Sequence, residues 1–321
     1  MMDVRLRTTG SAVIGIVLVV LCGNGAAATQ LQWKLAKGKT YYQKTVVDQR
    51  ITQTLMGQQQ KIEQGTGTGL KLQVLDVDAQ GNMRIQYTYL WTRFKQAHPT
   101  AQLDYDSARK AAVPAGAEGF AALIGQSYTV TLTPKGRVLD VNGVEQLKQA
   151  VLKKLSASAD PGPLAAAVAA YMDKDSLKQM TEAGTAIYPD KPVSPGDSWN
   201  KDLSMTIGFP VIIQSKWTLQ KEEGGVATLA LASTLRSDPD APPMDAGGMK
   251  LNCSLSGTQE GTLQVAEATG LLTVSRERQQ LKGDIKVAAS ADAPPTMVMP
   301  MTIDTQVTSE MSDQMWKTSP Q

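Results

Sequence analysis

The sequence predicts a mainly β protein with a helical segment (α+β), in which two curved antiparallel β-sheet modules are joined by two or three helices. Three observations lead there. Apolar residues alternate at period two in both halves of the chain, Gly-containing turns separate those runs, and the period lengthens to that of a helix between Gly143 and Ala183.

The elements follow in order. Tyr41 to Leu55 is rich in Thr, Val, Ile and Gln and holds no Pro or Gly, and Tyr41, Val47, Ile51 and Leu55 share one face of a long strand. Met56-Gly57 breaks it. Leu70, Leu72 and Val74 then alternate with Lys71, Gln73 and Leu75 as far as a turn at Asp76 to Asn82. On the return strand Met83, Ile85, Tyr87, Tyr89 and Trp91 point one way, as a half-buried strand of the N-terminal core. Arg84, Gln86, Thr88 and Thr92 take the other face, with Leu90 out of pattern. A hairpin follows, with Tyr128 to Leu132, a Pro134-Lys135-Gly136 turn, and Val138 to Val141.

Val144, Leu147, Val151, Leu152 and Leu155 are spaced for one face of a helix that stops before Pro161. Pro163 opens an Ala-rich run from Leu164 to Met172. Asp173 can cap a further helix carrying Leu177 and Met180, ended by Gly184. After Pro189 to Pro195 the strand pattern returns. Val211, Ile213 and Trp217 lead to a Glu223-Gly224-Gly225 turn, and Val226 to Leu235 come back. An irregular loop from Ser237 to Gly248 contains Pro239, Pro242 and Pro243. Leu263 and Val265 then turn at Thr269-Gly270 into Leu272 and Val274, and Met297 to Met311 supply the last strands.

Lys37-Gly38-Lys39-Thr40-Tyr41 and Pro195-Gly196-Asp197-Ser198-Trp199 each place a glycine three residues before an aromatic that opens a strand. This echo supports two related β modules. The expected division is a leader at 1–28, an N-terminal β module at 29–141, a helical connector at 142–185 and a C-terminal β module at 186–321.

The leader is read from Arg5 and Arg7, an apolar run from Ala12 to Leu21, and the small residues Ala26-Ala27-Ala28. The apolar run is about half the ~20 residues that a membrane-spanning helix needs, so the chain is expected to be exported and cleaved after Ala28. Leu21 precedes Cys22 where lipid attachment requires a small residue, so Cys22 belongs to the discarded leader. Removing 28 of 321 residues leaves 293. That remainder has no second apolar stretch of spanning length, and it works in the periplasm or outside the cell. Its single cysteine, Cys253, can form no intramolecular disulfide and reads as a small hydrophobe. The whole chain has 32 basic and 30 acidic residues, interspersed, which argues against nucleic acid as a partner.

The candidate sites carry little chemistry. His98 is the only histidine, in what reads as a surface loop, so multi-histidine metal centres are excluded and no G-x-S-x-G elbow supports a triad. Asp76 to Asn82 begins like a calcium loop but has Tyr87 where a bidentate Glu belongs, so a hairpin turn is expected. Asp104 and Asp106 would share one side of a strand, roughly 7 Å apart, a spacing compatible with glycoside hydrolysis. Exposed acids flanking a tyrosine are more simply solubilising. Ser107-Ala108-Arg109-Lys110 matches S-x-x-K without the companion motifs of that chemistry. Gly65-Thr66-Gly67-Thr68-Gly69 lies between strand-like segments with no helix start, so a flexible or bulged strand is expected and not a phosphate loop. Met297, Met299 and Met301 alternate on one strand face, and Met244, Met249, Met311 and Met315 lie in the same half. Thioethers suit Cu(I), but core packing or an apolar ligand surface explains them with less.

Several segments carry a resemblance. They are Leu35 to Tyr42, Ile51 to Gln58, Val74 to Asp78 with Gly81-Asn82, Gly119 to Ser127, and Ile187 to Val193 through Gly196-Asp197-Ser198-Trp199. Together they are similar to an uncharacterised family of exported bacterial proteins, a domain of unknown function common in planctomycete-type genomes. The resemblance implies an envelope setting. It assigns no activity, so no catalytic, cofactor or metal residue is carried over.

The expectation is therefore a non-catalytic envelope protein without a cofactor, whose curved sheets cradle an apolar ligand such as a lipid. The alternative is an interaction or scaffolding module that binds another envelope protein through the edge or flat face of Tyr41 to Leu55. A hydrolase would need distant carboxylates to converge in a cleft.

Overall fold

The computed structural model describes residues 28–316, except 56, 99–100, 110, 157–171, 207–208, 247 and 291–292. The expected leader up to Ala27, and most of the Ala-rich run after Pro163, lie outside the described residues.

The first half of the chain gives β1 (Thr40–Leu55), β2 (Gln58–Val77), β3 (Met83–His98), β4 (Ala101–Asp106), α1 (Glu118–Leu123), β5 (Ser127–Leu132) and β6 (Val138–Asn142). Helices α2 (Val144–Leu155) and α3 (Lys174–Thr185) follow. The second half gives β7 (Ser198–Met205), β8 (Val211–Glu223), β9 (Val226–Ser237), β10 (Met244–Ala246), β11 (Met249–Ala266), β12 (Leu271–Ala288) and β13 (Met297–Ser312). The mainly β class with few helices is as the sequence predicts.

The two-module expectation is corrected. All thirteen strands belong to one antiparallel sheet in the order β6-β5-β3-β2-β1-β13-β12-β11-β9-β8-β7, with β4 beside β3 and β10 beside β11. The halves join along β1 and β13, from Tyr42 opposite Ser312 to Gln53 opposite Met301. This seam links residues at the two ends of the chain, a contact that local periodicity cannot report. It also places β1 between β2 and β13, so Tyr41 to Leu55 offers no free edge.

The sheet curls but stays open. Its end strands β6 and β7 do not pair, and α3 lies against β6 and reaches β7. Residues 29–35 run through the concave side, where the Trp33 amide donates to Pro134 O on the β5–β6 turn and the Lys34 amide to Thr269 O on the β11–β12 turn, both at 2.8 Å. Two turns far apart in sheet order are thereby tied to one extended segment. Leu31, Trp33 and Leu35 are almost fully buried there, and burying such side chains is worth about 1.5–3 kcal/mol each. Ile187, Tyr188 and Val193 complete this base, with Thr29 bridged to Val193 and the Tyr188 hydroxyl donating to Gly270 O.

One expected strand face is also corrected. Met83 to Tyr89 line the concave side, but Trp91 does not, because Gly69 opposes Trp91 while Leu70 opposes Tyr89. Leu90 is the extra residue of a β-bulge, which turns every later side chain over. Trp91 therefore packs on the convex side, and Thr92 turns inward to donate through its hydroxyl to Phe120 O at 2.9 Å. Leu90, out of pattern in the sequence, marked the bulge.

Helix α2 buries Val144, Leu147, Val151 and Leu155 as the spacing predicts, whereas Leu152 of the same expected face stays partly exposed. In α3 Asp173 is the N-cap, its carboxylate accepting from the Ser176 amide at 2.8 Å. Met180 departs from expectation: it is 55% exposed, because α3 bridges two sheet edges and buries mainly Leu177.

Candidate functional site: the cavity inside the curled sheet

Because the strands alternate, one residue in two faces the concave side, and there the sheet and α3 enclose a cavity of about 620 Å³. Its wall changes character along the strands. Near the base it is apolar, with Trp217, Leu231 and Leu263 from β8, β9 and β11. Towards the far ends of the strands, outside the cavity lining, lies a second apolar cluster built from Leu235, Leu281, Ile285, Met301 and Ile303, against which the lining residue Ile213 packs.

Between the two runs a polar waist. Gln43 Nε2 donates to Ser309 Oγ at 3.3 Å, and Thr45 and Ser309 share a hydrogen bond of 3.0 Å across the β1–β13 seam. On β12 the Glu277 carboxylate accepts from Ser275 Oγ and from Gln259 Nε2, both at 2.5 Å. Ser215 and Ser233 pair at 2.9 Å. Each waist group thus has a partner on a neighbouring strand or on its own strand, which holds the side chains against the wall.

The cavity opens towards the gap between β6 and β7. Lys135, Arg137, Glu182, Asp190, Lys201 and Asp202 stand at this rim. Glu182 Oε1 accepts from the Val138 amide at 2.7 Å, which satisfies a free donor of edge strand β6. On the other side Gln179 Oε1 accepts from the amide and hydroxyl of Thr206, just past β7, both at 3.0 Å. Lys135 Nζ donates to Pro189 O at 2.6 Å, and burial lowers its pKa. Lys201 pairs with Asp190 at 3.6 Å.

The residues singled out in the sequence fall elsewhere. Asp78 closes the β2–β3 turn by accepting from the Gln80 and Asn82 amides, as a hairpin turn should. Asp104 pairs with Arg109, while Asp106 accepts from Trp91 Nε1 at 2.7 Å and Tyr105 between them is buried. The two carboxylates thus sit outside the cavity and serve the convex face. Ser107 Oγ accepts from the Thr92 amide at 2.9 Å, and Lys110 lies outside the described residues. His98 ends β3 opposite Ala101, which corrects the surface-loop reading.

Gly65, Gly67 and Gly69 lie within β2, and a bulge follows Gly69. A Cβ on Gly67 would sit 2.3 Å from Trp91 Cη2, and one on Gly69 2.3 Å from Trp316 Cζ2. The glycines make room for two indole rings on the strand. The methionines do not converge. Met299 and Met301 belong to the second apolar cluster and Met311 to the first, whereas Met249 and Met315 are 50% and 52% exposed. Cys253 borders the second cluster, and burial pushes its thiol pKa up to about 11.

The waist residues Gln259, Ser275 and Glu277 were not singled out in the sequence. Their alternation with Glu260, Arg276 and Arg278 gives both faces of the strand polar side chains, so no hydrophobic period marks which face is inside.

The fold and its cavity define a curled, open antiparallel sheet protein with an internal cavity open at one side. The chain belongs to the family of unknown function DUF6263, whose model matches residues 80–272. No curated protein matches the sequence. Among solved structures, one described as lipid-protein interactions in lipovitellin has a TM-score of 0.49 at 8% identity, covering 89% of this chain and 26% of that one. The chain thus spans about a quarter of the lipovitellin chain it matches. OccK7 (OpdD) of Pseudomonas aeruginosa has a TM-score of 0.22, covering 86% of this chain and 99% of its own, and OpdQ of the same organism one of 0.18, covering 85% and 98%. Both are 7% identical to this chain. At TM-scores under 0.5 none of these likenesses bears on function.

Proposed function

We propose that this is an exported, non-catalytic protein that holds one lipid-like amphiphile in the trough of its curled sheet. The observation that carries the reading is the cavity of about 620 Å³, open at one side, whose lining sets apolar side chains of β8, β9 and β11 beside a polar waist. That volume lies in the range of about 300–1,000 Å³ typical of small-molecule sites. An alkyl chain against the lining residues Ile213, Trp217 and Leu231, with its head group at the waist, would satisfy both kinds of wall. Export rests on the charged start, the short apolar run and the small residues before Thr29.

The test is extraction of the protein, purified without detergent from its native envelope, followed by mass spectrometry of the organic phase. The reading expects one amphiphile species in near-stoichiometric amount, and much less from an Ile213→Asp variant, which puts a charge in the cavity lining. An empty extract, together with failure of the purified protein to bind any alkyl probe, would overturn it.

A further inference from the structure

Among the described residues, seven charged side chains line the cavity: Lys135, Arg137 and Lys201 against Glu182, Asp190, Asp202 and Glu277. The first six stand at the rim, where cations and carboxylates balance three against three. Glu277 stands apart, on β12 in the sheet wall between Val307 of β13 and Gly261 of β11. Among the described residues its two carboxylate oxygens take neutral donors, Ser275 Oγ and Gln259 Nε2. Arg276 and Arg278 flank it on β12 but project to the convex side, Arg278 towards Asp304 at 3.8 Å. Gly261 provides the space: a Cβ there would sit 2.7 Å from Glu277 Cγ. A carboxylate has about four lone-pair directions, so two remain for a guest.

We infer that the waist is a recognition site for a cationic head group, an ammonium or quaternary ammonium carried by the amphiphile, with Glu277 as its counter-charge. The inference rests on the trough reading above and adds the head-group chemistry. Gln279 and Ser309, also on the wall, offer neutral polar contacts around the charge. A carboxylate-bearing amphiphile would meet Glu277 with like charge in a partly enclosed space, where repulsion is poorly screened.

The test uses the full-length protein and neutral N-phenylnaphthylamine as a fluorescent occupant, displaced by three amphiphiles of equal chain length below their micelle concentrations. These are dodecyltrimethylammonium, dodecyl maltoside and dodecanoate. The wild type is expected to favour dodecyltrimethylammonium over dodecanoate by roughly tenfold, the factor set by ~1.4 kcal/mol. Glu277→Gln should reduce that preference to within about twofold. Gln279→Lys, which adds a cation to the same wall, should reduce it as well and decides the matter if the first variant does not fold. Equal displacement by the cation and the anion, or a preference that survives in both variants, overturns the head-group assignment and leaves the trough intact. If neither the fluorophore nor any amphiphile binds, the trough reading itself fails.

Discussion

The indole ring of Trp91 occupies the place where a β-carbon of Gly67 would stand, with only 2.3 Å between that position and Cη2. The ring is pinned by its Nε1 donation to Asp106 and covered by Lys44 Nζ, 5.0 Å from its centroid. It cannot yield without losing those contacts. Gly67→Ala should therefore cost about 1–3 kcal/mol in urea unfolding, the range for overpacking a filled site. Gly184→Ala, in α3 with nothing near the added carbon, should be neutral or stabilising by up to ~1 kcal/mol.

The buried Tyr188 hydroxyl donates to Gly270 O and joins the base of the trough to the β11–β12 turn. Tyr188→Phe keeps the ring and leaves that carbonyl without its donor, at a cost of about 1–3 kcal/mol. Thermal and urea denaturation of the variant would measure it. A change in amphiphile binding is not expected, since the hydroxyl lies in the base and not at the waist.

Buried phenols predict an alkaline limit. Burial pushes the Tyr89 pKa up to about 12 from 10.0, against a smaller lowering by its hydrogen bond with Tyr128. Burial likewise raises Tyr87, Tyr128 and Tyr188. The fold holds each phenol neutral, whereas an unfolded tyrosine ionises near 10. This stabilisation is whole below pH 10 and is lost as pH rises towards the folded values, at up to ~1.4 kcal/mol per pH unit per group. Phenolate absorbance from these four should appear together with loss of ellipticity, not before it. Ionisation of all tyrosines near pH 10 in a folded protein would refute the burial.

Helix α3 is tied to β6 by the Glu182 carboxylate at the Val138 amide. Glu182→Ala should cost about 1.5–3 kcal/mol, as for other hydrogen bonds to charged groups. Amide exchange at Val138 should accelerate, while Val130, in the centre of the same sheet region, keeps its protection.

Much of the fold can be read from residue order, and what cannot has physical causes. The hairpin at Asp76 to Asn82, helix α2 and the Asp173 cap follow from turn chemistry and apolar spacing, which are local. The seam from Tyr42 to Gln53 against Ser312 to Met301 is not local, and its residues alternate Thr, Gln and charges on both faces. Helix α1 was not expected, because its six residues hold too few apolar positions to set a period. Simple alternation puts Trp91 on the concave face, and the one bulge residue, Leu90, inverts the parity of everything after it. The waist was hidden for a related reason: Gln259 and Glu277 look like the solvent-facing positions of an ordinary half-exposed strand. Only the curl of the sheet turns them inward.

The ligand-holding trough is tested most directly by equilibrium titration of the purified protein with N-phenylnaphthylamine, comparing wild type with Ile213→Asp in the cavity lining and with Leu139→Asp on the exposed side of β6. Saturable enhancement at one probe per chain is expected for wild type and for Leu139→Asp, and none for folded Ile213→Asp. Equal binding by all three proteins, or no binding by the wild type, would contradict a ligand-holding trough.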